Sequence, residues 1–252
     1  MRHQAGINPF KNGLIQAVYV IHARQFTVRA AHIKSELERF GIPFEFIETH
    51  DAATLTPEIL RQHLAPESEL LPAHVSCTLK HFEALRRIAS DGHRLVLVLE
   101  DDVVLAENFC EELVKIAEEA GRLKPPYSIQ LGCANNLYVP GRSRLPGKRL
   151  YEAGEVRATD AYLIGADAAR LRLAWLEQNK IHLPTDHLFN LIDRQNKIRF
   201  FWSEPALTEQ GSMNGLFSSE LDARRKGRSL RYQKWKFWWQ RLRRKYIYRF
   251  FR

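Results

Sequence analysis

The strongest constraint on this chain is a run of five aliphatic residues, 95–99, that three carboxylates follow directly. The run has the sequence Leu-Val-Leu-Val-Leu and continues as Glu100, Asp101 and Asp102. A strand that is apolar on both faces is typical of a mostly parallel sheet with helices on both sides. Ligands bind beyond the carboxyl ends of the strands in such open sheets. The position of the three acids therefore predicts a ligand site at that edge.

Strand and helix signals alternate along the chain on both sides of this run. The predicted strands span about 17–21, 44–48, 95–99, 127–131, 156–164 and 198–202. The predicted helices span about 27–40, 75–91, 107–120, 167–178 and 186–195, with a short one opening at Thr56. Residues 135–150 lack periodicity and are interpreted as a long loop. This alternation predicts an α/β fold with a mostly parallel central sheet.

The net charge of +9 is concentrated at one end of the chain. Residues 224–252 hold 13 of the 38 Lys and Arg residues and no Asp or Glu. The remainder of the chain therefore contains slightly more acidic than basic residues. Because the positive charge is confined to one end, this distribution does not favour nucleic-acid binding by the rest of the chain.

The basic end also has a pattern of its own. If residues 231–250 form a helix, its aromatic and leucine side chains lie within roughly 60° of one direction, and its cations occupy the other faces. The residues of this stripe are Tyr232, Trp235, Trp238, Trp239, Leu242, Tyr246 and Phe250. Such a helix is typical of attachment to an anionic membrane surface. Binding of single-stranded nucleic acid, and packing onto the acidic part of the chain or onto a partner subunit, are the two alternatives.

The cysteines and the N-terminal residues indicate the cellular compartment in which the protein is expected. Cys77, Cys110 and Cys133 are odd in number and lack metal-binding spacing, so we expect free thiols in a reducing compartment. No apolar signal segment is visible within residues 1–13, and no apolar run approaches the ~20 residues of a membrane span. We therefore expect a cytoplasmic protein.

The three adjacent carboxylates repel one another, so we expect a positively charged group to lie beside them. Mg²⁺ or Mn²⁺, bound through oxygen ligands and carrying substrate phosphates, would offset their repulsion. A solvated acidic turn at the start of the next helix is the simpler alternative. The chain has no P-loop motif, and no dinucleotide-binding glycine motif follows a strand. The cluster alone leaves phosphoryl transfer and glycosyl transfer open, because both use a metal to neutralise phosphate charge.

Six segments resemble, in order, those of family 25 glycosyltransferases, which include bacterial lipooligosaccharide galactosyltransferases. The most specific is 97–103, which is similar to the family's Leu-Glu-Asp-Asp core. The others are 18–29 with 49–52, 76–81, 159–164, 184–186 and 205–212. Together they extend over roughly residues 15–212. The resemblance implies a GT-A-like nucleotide-sugar-binding fold followed by the basic amphipathic helix.

The resemblance also implies roles for individual residues. Asp102 and Glu100 would hold the metal on the diphosphate of the donor. Asp186 would be the catalytic base that inversion needs, with Asp160 as the rival. The residues expected to bind the donor are Arg24, Arg29, Asp51, His81, Glu100, Asp101 and Gln210.

The expected function is that of an inverting glycosyltransferase that adds galactose from UDP-galactose to a lipooligosaccharide or lipopolysaccharide core. UDP-glucose or another UDP-sugar is the alternative donor, and a non-catalytic protein associated with nucleic acid or a membrane scaffold is the alternative function. We expect the catalytic domain over 1–215, a linker over 216–227 and a membrane-associating tail over 228–252. The protein would lie peripherally on the inner face of the bacterial cytoplasmic membrane.

Overall fold

The structure is a computed structural model that describes residues 9–134, 136–155, 158–218 and 229–247, with side chains through 244 in the last range. Strands within these residues are β1 (Val18–Ile21), β2 (Glu45–Ile47), β3 (Val96–Glu100), β4 (Val103–Leu105), β5 (Tyr127–Gln130), β6 (Leu150–Glu152), β7 (Ala161–Ile164), β8 (Arg199–Ser203) and β9 (Thr208–Gln210). Helices are α1 (Thr27–Glu38), α2 (Pro57–His63), α3 (Pro72–Asp91), α4 (Phe109–Ala120), α5 (Ala166–Gln178), α6 (Thr185–Gln195), α7 (Gly211–Asn214) and α8 (Leu230–Arg241).

Seven of these strands form one mixed sheet in the order β2-β1-β3-β7-β5-β8-β6. Strands β2, β1, β3, β5 and β8 run in one direction, and β7 and β6 run against them. The prediction of an α/β fold with a mostly parallel sheet is therefore confirmed. The sequence did not predict that β3 pairs in parallel with β1 and antiparallel with β7.

Strand β3 is buried on both faces, as its uniform apolar run predicted. Leu97 and Leu99 join one hydrophobic cluster with residues of α1 and α4, whereas Val96 and Val98 join a second cluster with residues of α3, α5 and α6. Period-two alternation sends successive side chains to opposite faces of the sheet. The sheet is thus covered by helices on both sides.

Local signals account for several helix ends. Thr56 accepts a hydrogen bond from the Ile59 amide at 3.2 Å, and Pro57 occupies the first turn of α2, as the sequence predicted. Helix α3 ends at Gly92, whose φ of 67° is the left-handed conformation that glycine adopts without strain. Gly92 thus ends the longest helix just before β3.

A second, two-stranded sheet escaped the sequence analysis. Strand β4 pairs antiparallel with β9, and the register places Val103 opposite Gln210. Each strand has three residues, which is too short for a periodicity to be recognised. The pairing joins the segment after the carboxylates to the segment at 208–210.

Helix α8 packs against α7 through a side that the aromatic stripe does not include. Phe237 is 2% exposed, and its carbonyl accepts a hydrogen bond from the Asn136 side chain at 3.2 Å. Arg241 forms an ion pair with Glu209 of β9. The stripe residues with described side chains remain exposed; they are Tyr232, Trp235, Trp238, Trp239 and Leu242. The expected linker lies largely outside the described residues, as does the structure of 248–252.

Among the described residues, no helix combines the length and the apolar character that a bilayer crossing requires.

Candidate active site

A cleft of about 780 Å³ opens where β1 and β3 end, at the edge of the sheet that the sequence predicted. The register of the parallel pair sets Ile21 beside Glu100, so His22 lies next to Asp101. Six residues predicted to belong to a site line this cleft: Arg29, Glu100, Asp101, Asp102, Asp186 and Gln210. These residues come from segments spread over the chain, and the fold brings them together.

Glu100, the last residue of β3, accepts two side-chain hydrogen bonds. Thr159 donates to Oε1 at 3.0 Å, and Gln210 donates to Oε2 at 3.1 Å. Burial acts to raise the pKa of Glu100, but the neighbouring His81 imidazole, the Thr159 hydroxyl and the Arg29 charge outweigh it and lower that pKa. Glu100 therefore stays ionised at neutral pH.

Asp101 contacts two basic side chains. His22 Nδ1 lies 2.7 Å from Oδ2, and Arg29 donates to Oδ1 at 3.4 Å. The Arg29 guanidinium also lies 4.8 Å from the ring centre of Phe26 and 5.6 Å from that of Phe217. These contacts hold one positive charge at the wall of the cleft.

Asp102 forms no ion pair with a basic side chain among the described residues. Its Oδ2 accepts a hydrogen bond from the Ser212 amide at 2.9 Å, whereas Oδ1 is buried and has no hydrogen-bond partner among the described residues. Burial, followed by the nearby Glu100 charge, raises the pKa of Asp102 to about 6. The unpartnered oxygen and the raised pKa of Asp102 are both expected at a site that binds a cation from outside the protein.

Gly211 holds the β9 side of the cleft against this carboxylate. Its amide donates to the Asp102 carbonyl at 2.8 Å. A Cβ at this position would lie 2.6 Å from that carbonyl oxygen and 2.7 Å from a ring carbon of Phe217. Only glycine allows the two segments to approach so closely.

Asp186 lies at the start of α6, on the wall of the cleft. Its side chain is partly exposed, and Oδ1 accepts a hydrogen bond from the His187 amide at 2.8 Å. Helix α6 is held by a buried ion pair in which Arg172 of α5 donates to both oxygens of Asp193, at 2.8 and 2.7 Å. This ion pair fixes α6, and therefore Asp186 at its start, relative to α5.

Asp160 has a different setting. It is fully buried beneath the cleft and is not among the residues that line it. Thr208 donates to its Oδ2 at 3.2 Å, and Oδ1 has no hydrogen-bond partner among the described residues. Burial, with the charges of Glu100 and Asp102, raises the pKa of Asp160 to about 8. This acid is therefore protonated at neutral pH.

Three other predicted donor-binding residues lie outside the lining of the cleft. The Arg24 side chain is 68% exposed and pairs with Glu48 at 3.3 Å. Asp51 accepts a hydrogen bond from Lys80 at 2.6 Å. His81 is buried behind the cleft wall, next to the Tyr162 hydroxyl. The structure thus places Arg29 at the cleft and Arg24 on the surface, although the sequence grouped the two arginines.

His22, which forms the shortest contact to the carboxylates, was not among the residues predicted for the site. His22 follows β1 directly, as Asp101 follows β3, and parallel neighbouring strands end at the same edge. That relation was a usable signal. The contribution of the Ser212 amide, by contrast, depends on the unpredicted pairing of β4 with β9.

Comparison with known proteins gives the chain its family. Residues 15–140 match the sequence model described as glycosyltransferase family 25 (LPS biosynthesis protein). That match contains the first three resembling segments and all three carboxylates of the cluster.

The relatives have both bacterial and mammalian origins. The rat protein "Probable inactive glycosyltransferase 25 family member 3" is 28% identical over 217 residues, which is 77% of this chain and 36% of the relative. The mouse protein "Inactive glycosyltransferase 25 family member 3" is 27% identical over 208 residues, 73% of this chain and 34% of the relative. A candidate glycosyltransferase of Haemophilus influenzae is 26% identical over 142 residues, 48% of each chain.

This chain spans only about a third to a half of the relatives it matches. The family model, however, extends over half of this chain and includes the carboxylates that form the cleft. The chain belongs to glycosyltransferase family 25.

Proposed function

We propose that the chain is an inverting glycosyltransferase of GT-A-like architecture that transfers a sugar from a nucleoside diphosphate donor to an acceptor hydroxyl. One observation carries the proposal: three carboxylates converge on a cleft, and Oδ1 of Asp102 there is buried without a hydrogen-bond partner among the described residues. The cleft volume of about 780 Å³ falls in the range of pockets that hold small ligands. UDP-galactose is our first choice of donor, with UDP-glucose or another UDP-sugar as the alternative.

Mn²⁺ or Mg²⁺ is the proposed cofactor. Asp102 and Glu100 would hold it, because both oxygens of Asp101 are already engaged, one by His22 and the other by the Arg29 guanidinium. The ion would supply positive charge to the donor diphosphate as the nucleotide leaves. Arg29, held between two aromatic rings, would provide a further cation toward the phosphates.

Asp186 is the proposed catalytic base. It lies on the cleft wall and is accessible, whereas Asp160 is buried and retains its proton at neutral pH. In the step we propose, Asp186 takes the proton of the acceptor hydroxyl as that oxygen forms a bond to the anomeric carbon. The bond from that carbon to the diphosphate oxygen breaks, and the nucleotide leaves with the electron pair.

The acceptor proposed here is a lipid-linked oligosaccharide, of the lipooligosaccharide or lipopolysaccharide core type. The exposed aromatic stripe of α8, with Lys234 and Lys236 on the same helix, supports attachment to an anionic membrane surface. Helix α8 contacts α7, which carries the cleft residue Ser212. A membrane-bound protein would thus keep its cleft near a lipid-borne acceptor, on the cytoplasmic face in our proposal.

A donor panel tests the enzymatic part of the proposal. The full chain is incubated with Mn²⁺ and a series of UDP-sugars, with and without purified core oligosaccharide, and released UDP is measured. We expect one donor to be consumed, and we expect a chelator to abolish its consumption. A chain that binds neither UDP nor any UDP-sugar would contradict the proposal. Binding without release would instead place the chain functionally with its relatives that are named inactive.

Liposome flotation tests the membrane part separately. We expect the full chain to float with anionic vesicles and the triple variant Trp235→Ser, Trp238→Ser, Trp239→Ser to remain in the soluble fraction. Neutral vesicles control for nonspecific adsorption, and an oligonucleotide shift assay on both proteins measures the nucleic-acid alternative. Equal flotation of the two proteins would refute the role of the stripe.

A further inference from the structure

We infer that Cys77, His81 and Glu100 form a site for a transition-metal ion of the zinc class, which shares Glu100 with the carboxylate cluster but does not use Asp102. One sulfur, one ring nitrogen and one carboxylate oxygen from these residues all lie within 4.8 Å of one another. The inference shares Glu100 with the proposed metal site at Asp102, but it does not rest on the proposed function, because Cys77 and His81 are its distinguishing ligands and it is tested without a donor sugar.

The ligands come from two elements that the fold brings side by side. Cys77 and His81 are four residues apart on α3, which places them one helical turn apart on the same face. Glu100 approaches from the carboxyl end of β3, with its Oε1 3.7 Å from His81 Nε2. Zinc bonds of 2.0–2.3 Å in a tetrahedron separate the ligand atoms by roughly 3.3–3.8 Å. Side-chain movements on the order of 1 Å would therefore complete the site.

The buried His81 nitrogen is the observation that points to an ion. His81 is 0% exposed, and Nε2 has no hydrogen-bond partner among the described residues. Nδ1 lies 3.0 Å from the Tyr162 hydroxyl. If Nδ1 donates to that oxygen, the lone pair of Nε2 faces the Glu100 carboxylate, and a cation between them would interact favourably with both. Histidines that bind metals are usually oriented by such a bond from the other ring nitrogen.

The surroundings of the other ligands also fit. The Glu100 carboxylate is oriented by Thr159 and Gln210, the type of support that carboxylate ligands have in metal sites. Cys77 and Glu100 both line the cleft, so the fourth coordination position would face it. The Cys77 proton would leave to solvent as its sulfur binds the ion. A thiolate and an imidazole select zinc-class ions, whereas the oxygen set at Asp102 suits Mn²⁺ or Mg²⁺.

Cobalt spectroscopy on the metal-free full chain tests this site. Co²⁺ is added in the absence of any nucleotide, and the absorption spectrum is recorded. We expect strong visible bands typical of tetrahedral cobalt, together with a sulfur-to-cobalt charge-transfer band, both saturating near one equivalent. Zn²⁺ should displace the cobalt and remove both features.

Variants assign the bands to the ligands. Cys77→Ser should lose the charge-transfer band, and His81→Gln should weaken cobalt binding by roughly 10-fold or more. Cys110→Ser is the matched thiol control, because Cys110 is a partly buried free cysteine on α4, outside the cleft lining, and it should leave the spectrum unchanged. Circular dichroism confirms that each variant is folded.

Two outcomes would overturn the site. One is the absence of a thiolate band in the wild-type chain, and the other is a band that persists in Cys77→Ser. Asp102→Asn separates this inference from the proposed function, because it should retain the cobalt band while losing sugar transfer. Weak octahedral cobalt bands that disappear in Asp102→Asn would assign the ion to the oxygen ligands and refute the cysteine site.

Discussion

The Ser212 amide donates a 2.9 Å hydrogen bond to Oδ2 of Asp102, and so joins two positions 110 residues apart. The pairing of β4 with β9 makes this contact possible, because it brings 208–210 alongside 103–105. A carboxylate that follows a central strand is thus held by backbone from much later in the chain. The other carboxylate oxygen is left buried and without a hydrogen-bond partner among the described residues.

Asp102→Asn should separate catalysis from stability. The amide has the same shape but lacks the charge, so we expect sugar transfer to fall by at least about 100-fold. The free energy of unfolding should not decrease at neutral pH, because the replacement removes a crowded buried charge. Steady-state kinetics and urea unfolding measure the two effects, with the exposed Glu107→Gln as control. Full transfer activity in Asp102→Asn would remove this residue from the proposed metal site.

Gly211→Ala should disrupt the β9 side of the cleft. The added methyl group would meet the Asp102 carbonyl at 2.6 Å, and overpacking of this kind costs about 1–3 kcal/mol. Gly154→Ala is the matched control, because nothing lies within 4 Å of its added Cβ. Urea unfolding of both variants gives the comparison. If the two variants had equal free energies of unfolding, the segments at Asp102 and Gly211 could move apart at no cost in stability.

Asp160→Asn should stabilise the protein increasingly as the pH rises. Folding raises the pKa of Asp160 from its ordinary value of 3.8 to about 8, so between these values the folded chain holds a proton that the unfolded chain has lost. The contribution of Asp160 to stability therefore falls as pH rises through this window. Asparagine does not ionise, so the Asp160→Asn variant does not lose this stability as the pH rises.

Urea unfolding at about pH 5, 7 and 9 measures the difference between Asp160→Asn and wild type. We expect this difference to grow with pH and to level off above about pH 8. A difference that is constant across the series would mean that Asp160 titrates alike in the folded and unfolded chains. Glu107→Gln should show no such trend.

Asp186→Asn should lower the turnover number without weakening donor binding. General-base catalysis contributes about 100- to 10,000-fold, so we expect kcat to fall by at least about 100-fold. Asp186 is partly exposed and accepts only the adjacent His187 amide, so the fold should tolerate the change. Calorimetric titration with UDP and Mn²⁺ checks donor binding. An unchanged kcat would eliminate Asp186 as the base.

Phe237→Ala should loosen α8 from the rest of the protein. Phe237 is 2% exposed, and truncating a buried phenylalanine costs about 3–5 kcal/mol. Trp235→Ala is the matched control because its side chain is 63% exposed. Hydrogen exchange of residues 229–244 should rise in the first variant and stay unchanged in the second. Equal exchange in both would contradict the observed docking of the helix.

Long or strongly periodic segments were predictable, and short pairings were not. The two-sided apolar run at β3 and the left-handed Gly92 after α3 each carry a local signal that is visible in the sequence. Strands β4 and β9 have three residues each and are stable only because they pair with one another. The orientation of Phe237 was also missed, because helical periodicity identifies an apolar stripe but not the surface against which the helix packs.

By itself, the sequence determined the α/β class, the mostly parallel sheet, the family and the edge of the sheet where three carboxylates lie. Those features follow from patterns within single segments, such as apolar runs and residues that come directly after a strand. The tertiary structure alone decided that His22 and Arg29 contact Asp101, that one oxygen of Asp102 has no hydrogen-bond partner among the described residues, and that His81 faces Glu100. These relations join residues far apart in the chain, and the charge balance of a buried group depends on which side chains the fold places around it.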